Sequence, residues 1–237
     1  MTTRVMVSLV AAALPWCALG GTATAQPLVQ PSVHVRITPV VKDHVSGMAW
    51  VAMKAECQRI WLAEGVAITW DARDPQAPRP DLQVPLVVND LELRKHAPAH
   101  GDAFGVTVFA GRTQRVLVSI PRIRDMLSTR GRLADRGDSM VFDAIIGRVL
   151  GRVVAHEIGH VLLLSTWHAT TGLMSPSLGT QDLGPSLPAF YGLSAPDRAR
   201  LATRFTNTGK GEPPPVLARG TGPSGATVVP VTLRDLP

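Results

Sequence analysis

Cysteine is nearly absent from this chain, with two residues, Cys17 and Cys57, in 237. Cys17 falls in an apolar N-terminal leader, so one thiol remains, and one thiol forms no intrachain disulfide. Cys57 sits in an apolar helical pattern and reads as a buried, inert thiol; a latency switch that ligates a metal is the minority reading. Aromatics are scarce too: five Trp, five Phe and a single Tyr, in no stacking series. The formal charge is +6, or +5 without Arg4, and no Lys/Arg-rich run concentrates it. Scattered basic charge does not favour nucleic-acid binding, although it can attract acidic partners. Beyond the leader no stretch is long and apolar enough to cross a bilayer. Internal repeats are lacking, and only one glutamate, Glu212, follows Glu157.

The leader itself has a recognisable grammar. Arg4 is a short positive region, Val5 to Leu19 is apolar apart from Ser8 and Pro15, and Ala23-Thr24-Ala25 is a small-x-small site. That order predicts a secretory signal peptide over 1–25, and hence an extracytoplasmic location, secreted or periplasmic. Residues 26–205 then hold enough apolar sequence for one domain. Residues 206–237 are rich in Gly and Pro without periodicity, which predicts a flexible tail.

Within the domain, Val33 to Thr38 alternates as a half-buried strand does. Ser46 caps a predicted helix to about Ala63, with Trp50, Met53, Cys57, Ile60 and Trp61 on its apolar side. Strands are expected at Val66–Trp70, Val84–Val88, Phe104–Phe109 and Val116–Ile120, with a polar loop from His96 to Asp102. A short helix is expected over Pro121–Ser128. Asp138 or Ser139 starts a long helix to about Leu164, and Ser194 caps a last one to about Phe205. The pattern is α+β rather than a regular βαβ alternation.

The long helix carries His156-Glu157-Ile158-Gly159-His160. Positions four apart share a helix face, with Cβ atoms roughly 5–6 Å apart. Both imidazoles can therefore reach one ion about 2.0–2.1 Å away. Glu157 is one step round the helix, placed to act as a base on water at the metal without being a ligand. A chance occurrence of this pattern at the chain's own His and Glu frequencies is roughly a half-per-cent event.

A catalytic zinc is expected to take three protein ligands. A carboxylate from a later helix is nearly ruled out, because Glu212 lies in the Pro-rich tail. Asp182, in Gly179-Thr180-Gln181-Asp182, is a second option. His168 is the third. On a continued helix it would lie about 12 Å beyond His160, so the chain must turn back first, with Ser165-Thr166 as the expected helix end. Thr171-Gly172-Leu173-Met174-Ser175-Pro176 has tight-turn composition.

His156-Glu157-x-x-His160, the downstream His168 and Gly172-Leu173-Met174-Ser175-Pro176 together resemble the metzincin clan of zinc peptidases. The resemblance implies ligands His156, His160 and His168, general base Glu157, a Zn2+ cofactor, and Met174 in a turn beneath the metal. It implies a zincin-like fold: a twisted, mixed five-stranded sheet with two long helices and a small, mostly irregular C-terminal subdomain. A zinc metallopeptidase acting on peptide or protein substrates is implied, an endopeptidase before an exopeptidase. Substrate would lie extended along an edge strand, for which Phe104–Phe109 is the candidate. The chain departs from the clan pattern in two places. Leu163 stands where the helix-breaking Gly is usual, and Thr166 stands where the third His is usual, so a helix running slightly further and a longer spacer are expected here. The rivals are a zinc hydrolase of another amide or ester, and a non-catalytic exported binding protein with a degenerate site.

Gly147, Gly151, Ala155 and Gly159 recur every four residues along the same helix. Such a row of small residues admits a close neighbour, expected to be the sheet or the C-terminal region, while Arg148 and Arg152 argue against a lipid-embedded face. Tyr191 reads as a core residue. His34, His44, His96 and His100 have no ligand spacing and read as surface residues.

Overall fold

The computed structural model describes residues 32–70, 79–98, 101–111, 113–129, 139–178, 191–206 and 227–233. The expected signal peptide, the Asp182 segment, His100 and Glu212 lie outside the described residues.

Alternating burial makes β1 (Val33–Val41) a strand with Val33, Val35 and Ile37 inward. Parallel to it on either side run β2 (Val66–Trp70) and β3 (Leu82–Val88). Next to β3 comes β5 (Thr113–Val118), also parallel, and then β4 (Gly105–Ala110), which runs antiparallel to β5. These five strands form the expected mixed sheet of an α+β fold.

The sheet does not stop at β4. Residues Thr227–Leu233 form β7, antiparallel along the outer side of β4, and the two-residue β6 (Ser177–Leu178) pairs with the end of β7. The strand order is β2-β1-β3-β5-β4-β7-β6. Two expectations are corrected here. The tail expected to be flexible contributes a strand, and the edge expected to be open is covered by the chain itself. Apolar alternation in Thr-Val-Val-Pro-Val-Thr-Leu is interrupted by Pro230, and proline demotes a run to edge strand or loop when the partner is unknown.

Helix α1 (Gly47–Leu62) starts at Ser46, whose side chain accepts from the Ala49 amide at 3.1 Å. Met53, Cys57, Ile60 and Trp61 are buried as expected, and Trp50 is half-buried. Burial raises the Cys57 thiol well above its ordinary range, which agrees with an inert thiol. Helix α2 (Asp90–His96) occupies the stretch just before the expected polar loop. Its signal was present: the Asn89 side chain accepts from the Glu92 amide at 2.8 Å, acidic residues fill the first turn, and Arg94, Lys95 and His96 fill the last. Helices α3 (Ile120–Thr129), α4 (Ser139–Leu163) and α5 (Ala195–Thr206) follow the expected positions. Helices α1, α3 and α4 join one face of the sheet in the main core; Leu93 and Ala97 close a smaller cluster with Val106, Val108 and Leu117.

The small-residue row on α4 faces α1, not the sheet. A Cβ built on Gly147 would lie 2.3 Å from the Ala49 carbonyl oxygen, and one on Gly151 would lie 2.7 Å from that of Met53. Gly159 meets Met174 instead, so the expected contact with the C-terminal region holds at this one position. Trp61 donates its indole N–H to the Ala155 carbonyl at 3.1 Å, and buried Glu56 bridges Arg59 and Arg152, each at 2.9 Å. Gly147→Val should therefore cost about 1–3 kcal/mol through overpacking, although Val is the better helix former. Urea denaturation checks this; an unchanged midpoint would mean that α1 and α4 are free to separate.

Candidate metal centre

Helix α4 holds His156, Glu157 and His160 on two successive turns, all with 2% exposure or less. How the helix ends decides the third position. Its last residue is Leu163, and Leu164 takes the left-handed conformation at φ 46. The helix therefore ends within a residue of the expected Leu164, just before Ser165-Thr166. For a leucine that conformation costs roughly 1–2 kcal/mol, the work usually given to glycine. Arg204 of α5 donates to the carbonyls of Val161 and Leu162 at 2.5 and 2.6 Å, satisfying orphan acceptors of the final turn.

The reversal at Leu164 brings the Ser165 carbonyl to 2.7 Å from His160 Nδ1. The Ser165 hydroxyl oxygen accepts from the Trp167 amide at 3.2 Å, and the Ala169 amide donates to the Met174 carbonyl at 2.8 Å, closing the loop. His168 thereby stacks on His156, with ring centroids 5.2 Å apart, and meets His160 edge-on at 4.9 Å. One ligand atom from each of His156, His160 and His168 lies within 4.8 Å of the other two. The structure thus brings together all three histidines chosen from the sequence and, among the described residues, leaves the others apart: His44 is exposed, His34 and His96 are half-buried, and His96 contacts Arg115.

A second carbonyl, that of Leu173, lies 2.7 Å from His156 Nδ1. Carbonyls only accept, so both Nδ1 atoms carry the proton and both Nε2 atoms of the neutral rings present lone pairs. Those two Nε2 atoms face each other at 2.9 Å. Two lone pairs in that position repel. A cation between them removes the repulsion, and tetrahedral bonds of 2.0–2.1 Å would set them about 3.3 Å apart. Nε2 of His168 is likewise buried without a hydrogen-bond partner. The donor set therefore fits a metal ion, with the carbonyls orienting the ligands from behind.

Electrostatics point the same way. Burial, and then the neighbouring His160 and His168, hold His156 well below its ordinary value. Burial and His168 push His160 down to about 3, and burial lowers His168. Neutral imidazoles are the form that ligates. Met174 is buried in the turn after Gly172, at φ 79, and its sulfur packs where a Cβ on Gly159 would stand.

Glu157 is fully buried between α4 and β4. The Thr107 hydroxyl lies 2.6 Å from Oε2 and 2.9 Å from Glu157's own carbonyl, while Oε1 has no partner. Burial raises the Glu157 carboxyl well above its ordinary range, and Thr107 offsets this in part. Gly105 makes room: a Cβ there would lie 3.1 Å from Oε1 and 2.6 Å from Val153. Thr107 and Gly105 were not singled out in the sequence. The weak available signal was polar Thr107 inside the apolar run Phe104–Phe109.

Compared with family models, with curated proteins and with solved structures, the chain matches none. What the cluster can do is thus argued from its own residues.

The depressed histidine values make the metal-free protein pH-sensitive in a defined sense. Unfolded, an imidazole protonates near 6.5, whereas folded His160 stays neutral to about 3. The unfolded state binds more protons in that window, so stability present above pH 6.5 is lost as pH falls toward 3. Urea midpoints of chelator-treated protein should drop across this range, and His160→Gln should flatten the drop. Parallel pH profiles for parent and variant would show that His160 is not held neutral.

Proposed function

We propose that this chain is a metal-dependent hydrolase. More particularly, we infer an exported zinc metallopeptidase that cleaves peptide bonds with Glu157 as general base. The observation that carries the reading is the combination of two Nε2 lone pairs facing each other at 2.9 Å with an unpartnered carboxylate oxygen one residue away. A purely structural ion has no need of that carboxylate.

His156, His160 and His168 would hold the ion. When bound, zinc supplies Lewis acidity, making nearby water easier to deprotonate and polarising a carbonyl. Glu157 takes the proton of the attacking water on Oε1, the oxygen left free, and returns it to the departing amine. Thr107 holds Oε2, so the carboxylate presents Oε1 in a constant orientation. Export rests on the leader read in residues 1–25, and no helix among the described residues is long and apolar enough to cross a membrane.

Glu157→Gln should keep about one equivalent of zinc and lower peptide turnover by about 10²–10⁴-fold. Zinc analysis beside hydrolysis of an unfolded protein and of cell-wall peptides checks this, and full turnover in the variant would end the mechanism. His168→Ala should lose zinc; unchanged stoichiometry and activity would return the third position to Asp182. Thr107→Val should retain zinc and cost about 10–100-fold in turnover.

A further inference from the structure

Strand β4 is where the candidate base meets the sheet. Thr107 and Gly105, both on β4, contact Glu157 from one strand. An open edge here would expose a row of backbone donors and acceptors, the template on which an extended peptide adds as a new strand. Residues Thr227–Leu233 already lie on it. Their register runs from Gly105 opposite Val231 to Phe109 opposite Thr227, with Thr107 opposite Val229. Directly opposed residues share a face of the sheet, so Val229 stands on the Glu157 side, and it is 2% exposed. β7 also touches α4. Glu157 and His160 are both at 0% exposure, and His168 is half-buried.

The added segment has the composition of a removable strand. Pro230, opposite Val106, has no N–H to give to a neighbour on either side. On its far side, among the described residues, β7 pairs at Thr232 and Leu233. It is not joined to β4 by a hairpin, and β4 pairs with β5 along its other side.

We propose that β7 is a built-in occupant of a peptide-accepting edge: Thr227–Leu233 lies on β4 as a substrate strand would and occupies the edge that adjoins Glu157. The consequence, self-inhibition, rests on the peptidase reading above. Strand displacement, by a competing peptide or by cleavage of the C-terminal segment, opens that edge.

The test uses the full chain and a fluorescein-labelled peptide with the sequence of Thr227–Leu233. Val229→Asp places a charge in the buried strand contact and should release β7. If β7 is closed nine-tenths of the time or more, release raises peptide affinity about tenfold or more. A second variant does not depend on weakening the fold. Phe109→Cys with Thr227→Cys, in a Cys17→Ser background, pairs opposed positions that a disulfide can span. Oxidised, it should exclude the peptide; reduced, it should bind like the parent. Equal binding by the parent, the Val229→Asp chain and the oxidised cross-link would overturn the proposal, as would equal binding by the oxidised and reduced forms. Hydrolysis is read separately, with and without Glu157→Gln. Differential binding without any cleavage would leave the closed edge standing and remove the peptidase reading. Glu157-dependent cleavage at equal rates in all chains would do the reverse.

Discussion

The Nδ1–H groups of His156 and His160 each end on a backbone carbonyl, and the chemistry of the cluster follows from where those carbonyls lie. The Ser165 carbonyl is in place because Leu164 reverses the chain with a positive φ. The Leu173 carbonyl is in place because Gly172, also at positive φ, fits against the Gly192 carbonyl with no room for a Cβ. Each bond fixes a tautomer and turns the other ring nitrogen toward its neighbour. Backbone turns that look remote from the chemistry thus set the direction of the lone pairs. The left-handed leucine is a cost carried by the fold, and α5 helps to hold it by donating Arg204 to the last turn of α4.

Helix α4 can hold these groups rigidly because it is clamped along its length. Glycines at 147 and 151 let α1 approach to backbone contact. The Glu56–Arg152 pair is almost fully buried, and Arg152 also lies over the Tyr191 ring, 4.9 Å from its centroid. A buried ion pair adds little net stability against an apolar substitute, yet it is costly to break, so it holds orientation more than it adds energy. On the opposite flank β4 supplies Gly105 and Thr107, so Glu157 is held from the sheet while the histidines are held from the turns. The candidate metal centre sits where three separately constrained pieces of backbone meet.

Some of this was legible before any coordinates. The spacing of His156, Glu157 and His160 follows from helix geometry alone, and Ser46 and Ser194 mark helix starts by hydrogen bonds within three residues. His168 was reachable because a continued helix would have carried it too far, so a reversal was required. The helix ends within a residue of the expected Leu164, but Leu164, without glycine's freedom, gives no local sign of the left-handed turn that makes the reversal. Helix α2 was missed although Asn89 and Glu92 announced it, since seven residues are too few for a periodic apolar face. Thr107 read as an ordinary strand residue, because nothing near it in sequence shows that α4 passes beside it fifty residues later.

What the sequence determined by itself is therefore local: helix and strand periods, caps, and a ligand pair with its carboxylate on adjacent turns. These depend on interactions spanning four residues or fewer, and a local pattern encodes them directly. Tertiary structure decided the partners. It chose α1 rather than the sheet for the glycine face, β4 as the neighbour of Glu157, and β7 as the strand on that edge. Such choices join residues 50 to 126 positions apart. They depend on which faces and edges remain uncovered once the whole chain has packed, and no window of sequence contains that information.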